Sequence, residues 1–144
     1  MTVAAILKHK GYQVTTVTPT ATIAEVTETL ARHRIGAVLV MDRAEQLLGI
    51  VSERDVVRSL AANGARTLEM TAGQLMTRAL QIATPETTVG EAMRMMTEGR
   101  FRHLPVIDHD KVVGLISIGD VVKTRIMQQA QEVDSLRAYV SGAA

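Results

Sequence analysis

Apolar and polar positions follow two rhythms along this chain, and the same succession of rhythms occurs twice. A short extended run, Val14–Val17 in the first half and Leu80–Ala83 in the second, ends at Thr-Pro; proline drives the residue before it toward extended geometry. Helical spacing follows. Ile23, Val26 and Leu30 recur at three and four residues, as do Val89, Ala92/Met93 and Met96, which predicts one amphipathic helix in each half. Both helices open on the same signal, Thr22-Ile-Ala-Glu25 and Thr88-Val-Gly-Glu91. A hydroxyl three residues before a carboxylate can satisfy the free N–H groups of a helix start. Two compact apolar runs come next, Ala37–Met41 and Leu47–Val51, matched by His103–Ile107 and Val112–Ile116. A polar turn divides each pair and predicts a hairpin. Each half closes on a second helix, Ser52–Ala62 and Ser117–Val140, and Asn63-Gly64-Ala65-Arg66 marks the break between the copies.

The order β-α-β-β-α, twice, is supported by residue identity. Thr18–Arg58 aligns with Thr84–Lys123 through one single-residue gap in the turn after Asp42 and Asp108. Identical pairs include Thr18/Thr84, Pro19/Pro85, Thr22/Thr88, Glu25/Glu91, Arg34/Arg100, Gly49/Gly114, Ser52/Ser117 and Asp55/Asp120. A period near 65 residues is too long for a solenoid unit. The fold class expected is therefore α+β, with two repeats packed in approximate two-fold symmetry and a long last helix. The divisions are residues 1–66, 67–126 and a helical extension over 127–144. Along that extension Val122, Ile126, Ala130, Val133, Leu136 and Val140 form an apolar stripe, which implies a partner: its own repeats, or a second copy of the chain.

Composition narrows the chemistry. The net charge of +1 is spread along the chain, and one Phe, two Tyr and no Trp leave no platform for stacking bases, so nucleic acid is not expected as a partner. No Cys is present, which excludes disulfides, thiolate metal sites and cysteine nucleophiles. The four histidines, His9, His33, His103 and His109, lack the i, i+4 spacing of a helical zinc site, and no metal is expected. No stretch reaches the roughly 18 apolar residues of a membrane span, and the start of the chain lacks a signal-peptide pattern. The expectation is a cytoplasmic protein with no membrane association. Neither a G-x-S-x-G elbow nor a G-x-x-x-x-G-K-[ST] loop occurs, and no residue set suggests turnover. The methionines at helical spacing, Met93 and Met96 among them, read as core filler.

One pair of segments carries more than fold. Gly49-Ile-Val-Ser52-Glu-Arg-Asp55 and Gly114-Leu-Ile-Ser117-Ile-Gly-Asp120 occupy the same place in the two repeats. With Arg102-His103-Leu104-Pro105-Val106-Ile107-Asp108, and with Ala72-Gly73-Gln74-Leu75-Met76-Thr77 ahead of the second repeat, they resemble the CBS-domain family, specifically free-standing bacterial CBS pairs. The resemblance implies a regulatory, non-enzymatic module that senses an adenosine-containing ligand, AMP first, then ADP, ATP or NAD(H), and acts on an unidentified regulated protein. It also implies a homodimer. In the family the Asp and Ser/Thr of this motif hold ribose and phosphate. Carried over, one cleft would pair Ser52, Arg54 and Asp55 with Met76, Thr77, Phe101, Arg102 and His103. The other would pair Ser117 and Asp120 with Ile35, Gly36 and Ala37 and the stretch near Lys8. Arg54, at the motif position where the other copy has Gly119, and Arg102 and His103 at the start of an apolar strand make the first cleft the better equipped for phosphate. A plainer reading stands beside this one: Ser and Asp three residues apart cap a helix without any ligand, and the module would then be structural or protein-interacting.

Overall fold

The computed structural model describes residues 1–78 and 80–142. In chain order its elements are α1 (Val3–Lys10), β1 (Thr16–Val17), α2 (Ile23–His33), β2 (Ala37–Met41), β3 (Leu47–Ser52), α3 (Glu53–Asn63), a 3₁₀ segment (Gly64–Glu69), α4 (Ala72–Leu75), α5 (Val89–Gly99), β4 (His103–Asp108), β5 (Lys111–Ser117) and α6 (Ile118–Gly142). The fold is α+β, with the predicted β-α-β-β-α order in the first repeat. In the second, the opening strand shrinks to one parallel bridge, Ala83 to Val106.

The chain divides into two compact units. One holds residues 13–81 with 109–113; the other holds residues 1–12, 82–108 and 114–144. The division at 66/67 drawn from the repeat is one of sequence; in space α1 joins the unit of the second repeat, and α4 that of the first. Backbone bonds show why. In the first unit Thr71 bridges Thr22, Ala72 N–H donates to Ala21 O (2.8 Å), and Ile23 N–H donates to Met70 O (2.8 Å). In the other, Thr2 bridges Thr88, Val3 N–H donates to Thr87 O (2.8 Å), and Val89 N–H donates to Met1 O (3.0 Å). Each leading segment thus supplies acceptors to the orphan amides at the start of a helix.

In the first unit, β1 runs parallel to β2 and β2 antiparallel to β3 in the order β1-β2-β3, with Ala37 opposite Ser52 and Leu39 opposite Ile50. Ile23, Val26 and Leu30 of α2 bury their stripe with Val38, Val40, Val51, Val56, Ala72 and Met76. In the other unit β4 and the part of β5 from Gly114 onward belong to a two-stranded sheet. The buried residues of that unit include Val3, Ile6, Leu7, Ala83, Val89, Ala92, Met96, Leu104, Val106, Ile116 and Val121. Of the methionines, Met96 is core, whereas Met93 is only half-buried.

Both capping signals at α2 and α5 form as spacing predicts: Thr22 Oγ1 accepts from Glu25 N–H (3.2 Å) and Thr88 Oγ1 from Glu91 N–H (3.1 Å). Both helices end on an arginine in the left-handed region, Arg34 (φ 53°) and Arg100 (φ 56°).

Candidate functional site

The two Gly-to-Asp segments are built alike from strand end to helix start. At the β3–α3 junction, Ser52 N–H donates to Asp55 Oδ2 (2.8 Å), the Ser52 hydroxyl donates to the same oxygen (2.9 Å), and Asp55 N–H donates back to Ser52 Oγ (3.4 Å). At the β5–α6 junction, Ser117 N–H donates to Asp120 Oδ2 (2.8 Å) and Asp120 N–H to Ser117 Oγ (3.1 Å). Each is a reciprocal capping box. Both carboxylates are half-buried rather than enclosed.

The glycine that opens each segment has a packing reason. A Cβ at Gly49 would lie 2.7 Å from the Thr77 carbonyl oxygen and 2.8 Å from Met76 Sδ, and one at Gly114 would lie 2.5 Å from Leu7 Cδ2. Gly49 lets the segment after α4 cross β3, where Ile50 and Thr77 exchange backbone bonds of 3.1 and 2.9 Å. Gly114 admits Leu7 of α1 in the corresponding way.

These leading segments deliver a second group to each carboxylate. Thr77 Oγ1 donates to Asp55 Oδ1 (3.3 Å). At the other junction α1 runs on to Lys10, whose ammonium donates to Asp120 Oδ2 (2.6 Å) and to the Leu115 carbonyl (2.7 Å). Burial by itself would raise the Asp120 carboxyl. The Lys10 hydrogen bond, the Ser117 amide and the Lys10 charge outweigh it and hold the group below its ordinary 3.8. The paired carboxylates therefore sit in unlike surroundings: one meets a hydroxyl, the other a cation.

Of the residues singled out from the sequence, the first unit brings together Ser52, Asp55, Met76 and Thr77, with Gly36 and Ala37 beside them: Gly36 O accepts from Glu53 N–H (2.9 Å), and Ala37 pairs with Ser52. Ile35 is half-buried in the turn after α2, where its N–H donates to Leu30 O. Arg54 points from the exposed side of α3. The other unit brings Ser117 and Asp120 beside Arg102, whose carbonyl accepts from Ile118 N–H (2.8 Å). Arg102 itself lies just before β4 and is exposed, while Phe101 and the strand's first residue, His103, are half-buried. The sequence pairings of Ser52 with Phe101–His103, and of Ser117 with Ile35–Ala37, take their members from different units. Each unit by itself sets the tripeptide of its own repeat beside its motif. The stretch near Lys8 was set beside Ser117 and Asp120 from the sequence, and the residue of it that makes the contact is Lys10. The available signal was that α1 and α4 play one role, both starting after a Thr that bridges the Thr capping a helix.

Among the described residues no three His, Asp or Glu side chains gather as a metal site, and no helix is long and apolar enough to cross a membrane.

With this duplicated site in view, the chain can be set beside known proteins. The model of the CBS domain matches residues 4–62 and again residues 72–126. This chain belongs to the CBS-domain family, as a tandem pair. The CBS domain-containing protein CBSX3, mitochondrial, of Arabidopsis thaliana is 36% identical over 125 residues; the match covers 84% of this chain and 61% of that protein, so this CBS pair spans under two thirds of that relative. A crystal structure of a CBS-domain-containing protein from Agrobacterium tumefaciens superimposes with a TM-score of 0.85 at 42% identity, covering 87% of this chain and 99% of the other. The CBS domain pair of protein MJ0100, solved in complex with methylthioadenosine and S-adenosylmethionine, shares the fold at a TM-score of 0.79 and 24% identity, covering 89% of this chain and 98% of that one. The matched spans begin at α1 and just at α4, so each CBS repeat in sequence includes the leading segment that packs with the other repeat's unit.

Proposed function

We propose that this CBS pair is a regulatory module that binds an adenosine-containing ligand at its Ser/Asp helix mouths, AMP first and ADP, ATP or NAD(H) as alternatives, and that it is not itself an enzyme. The observation that carries this reading is the duplicated carboxylate. Asp55 and Asp120 are each aimed by an amide and a serine at the start of a helix, yet remain half-buried at the surface of their units. A ribose offers two adjacent hydroxyl donors, which a carboxylate accepts as a pair. The helix start beside it, with free N–H groups and the positive end of the dipole, suits a phosphate. The MJ0100 pair, with adenosine derivatives bound, is consistent with a nucleoside as the class of ligand.

Occupancy of the two mouths should differ. Beyond its Ser52 cap, the second group that reaches Asp55 from the leading segment is the neutral Thr77 hydroxyl, which a ribose can displace at little electrostatic cost. Asp120 is already paired with Lys10. The Ser52/Asp55 mouth is therefore the expected first site, with Met76 and Thr77 in reach and Arg54 on the adjacent helix face. Bound ligand shifts a regulated partner only through unequal affinity for two states of the module.

Calorimetric titration with AMP tests the proposal. Hydrogen bonds to a charged group contribute about 1.5–3 kcal/mol, so Asp55→Ala should weaken the tighter site roughly 10- to 100-fold, and Asp55→Ala with Asp120→Ala should abolish binding. Binding that persists in the double variant sinks the ribose assignment. A second reading has its own support: both motifs are fully used as capping boxes, as expected of a structural or protein-interaction module. Absence of binding by every adenine nucleotide would select it.

A further inference from the structure

Helix α6 carries a second pattern along its outer face. Over Ile118–Gly142, Val122, Ile126, Gln129, Val133, Leu136 and Val140 succeed one another at alternating steps of four and three. That is a seam of period 3.5 rather than 3.6, the spacing that keeps one face against a partner helix. All six are exposed, Ile126 at 60%, Leu136 at 63% and Val140 at 73%. Beyond the first turn, where Ile118 and Asp120 are half-buried, α6 packs on its own unit through buried Val121 and half-buried Thr124 and Gln128, which lie away from the seam. The seam thus points away from its own unit, and from Gln129 to Gly142 every residue is exposed. Isolated helical turns are marginal in water, so a partner for this stretch is a physical requirement.

We infer that the occupant is the same helix of a second copy, in a parallel, in-register two-stranded coiled coil. Three features of the sequence select it. One set of seam positions is all β-branched (Ile126, Val133, Val140), a choice that favours two parallel strands, while the other set holds Val122, Gln129 and Leu136. Gln129, the one polar residue of the seam, meets itself only in parallel register. Charges flanking the seam agree: parallel pairing brings Glu132 toward Arg137 of the second copy, twice by symmetry. Antiparallel pairing at fullest overlap would instead oppose Glu132 to Glu132 and Lys123 to Arg137.

The absence of cysteine makes the test direct. In the full chain, Val133→Cys should form an interchain disulfide under mild oxidation at micromolar concentration, whereas Ser135→Cys, on the far side of the helix, should not. Glu132→Lys in the Val133→Cys background should weaken association about tenfold, and adding Arg137→Glu should restore it. No crosslink through Val133→Cys, preferential crosslinking of a Gln129→Cys/Val133→Cys mixture over either alone, or equal crosslinking through Ser135→Cys would each overturn the proposal. The first result would assign the seam to a different protein, the second to an antiparallel dimer. Residues this exposed do not support the core of their unit, so hydrogen-exchange protection retained over 1–12 and 82–108 in each variant shows that the fold is intact, while the helicity of 129–142 follows association.

Discussion

At the scale of single residues, the two repeats differ where the family motif is most alike. Ser52/Asp55 and Ser117/Asp120 share their capping geometry, but the group arriving from the leading segment is a hydroxyl in one case and an ammonium in the other. Lys10 retains 38% of its exposure, so solvent screens the pair, and its contribution to stability is about 0.5 kcal/mol. Its effect on titration is the more legible consequence. Because the folded carboxyl lies below 3.8, the stabilisation is complete at pH values above that ordinary value and drains away as the pH falls through the folded one. In Lys10→Met the burial of Asp120 persists while its cation is gone. The carboxyl should then titrate at higher pH than in the parent chain, and acid unfolding should begin earlier. A carbon-detected NMR titration of the Asp120 carboxyl reads this directly; an unmoved midpoint would show that the Ser117 amide alone sets the value. The family resemblance placed the stretch near Lys8 at this mouth, but residue types did not single out the pairing of Lys10 with Asp120, which are 110 positions apart.

At the scale of elements, local signals were strong where local physics decides. Hairpins at 37–51 and 103–116, helix starts at Thr22, Thr88, Ser52 and Ser117, and the helix end near Asn63 all follow from alternation, capping and turn chemistry. Elements decided by long-range contact were not legible. Helices α1 and α4 are held by backbone bonds to turns elsewhere in the chain, and the run 80–83, with good strand composition, pairs through Ala83 alone. The arginines at the ends of α2 and α5 are a further local feature. A non-glycine residue at positive φ carries a steric cost that glycine avoids, so Arg34→Gly should raise stability by about 0.5–1 kcal/mol. Urea unfolding measures it, and a loss of stability would mean that the Arg34 side chain contributes more than its backbone costs.

At the scale of the whole molecule, duplication and interleaving belong together. A β-α-β-β-α repeat alone leaves the start of its first helix and one strand crossing unsatisfied. Each unit is completed by the leading segment of the other repeat: 70–77 crosses β3 at Gly49, and α1 seats Leu7 at Gly114. The consequence can be tested through the side chain that fills the gap. Leu7 is 1% exposed, and Leu7→Ala removes buried methyl groups at a cost of roughly 2–5 kcal/mol. Although residue 7 lies in sequence at the head of the first repeat, the damage should appear in the second. Hydrogen exchange followed by mass spectrometry should show protection falling over 1–12, 82–108 and 114–121, while peptides within 14–78 keep most of theirs. A loss centred on 14–78, or one spread evenly over the chain, would contradict the interleaved arrangement. The same experiment on Met76→Ala supplies the mirror case. Met76 is 9% exposed and completes the core of α2, β2 and β3, so its loss should soften 14–78 and leave α1 and α5 protected. Two substitutions at equivalent places in the two leading segments, each weakening the unit of the other repeat, are what an interleaved duplication requires and what two independently folded repeats could not produce.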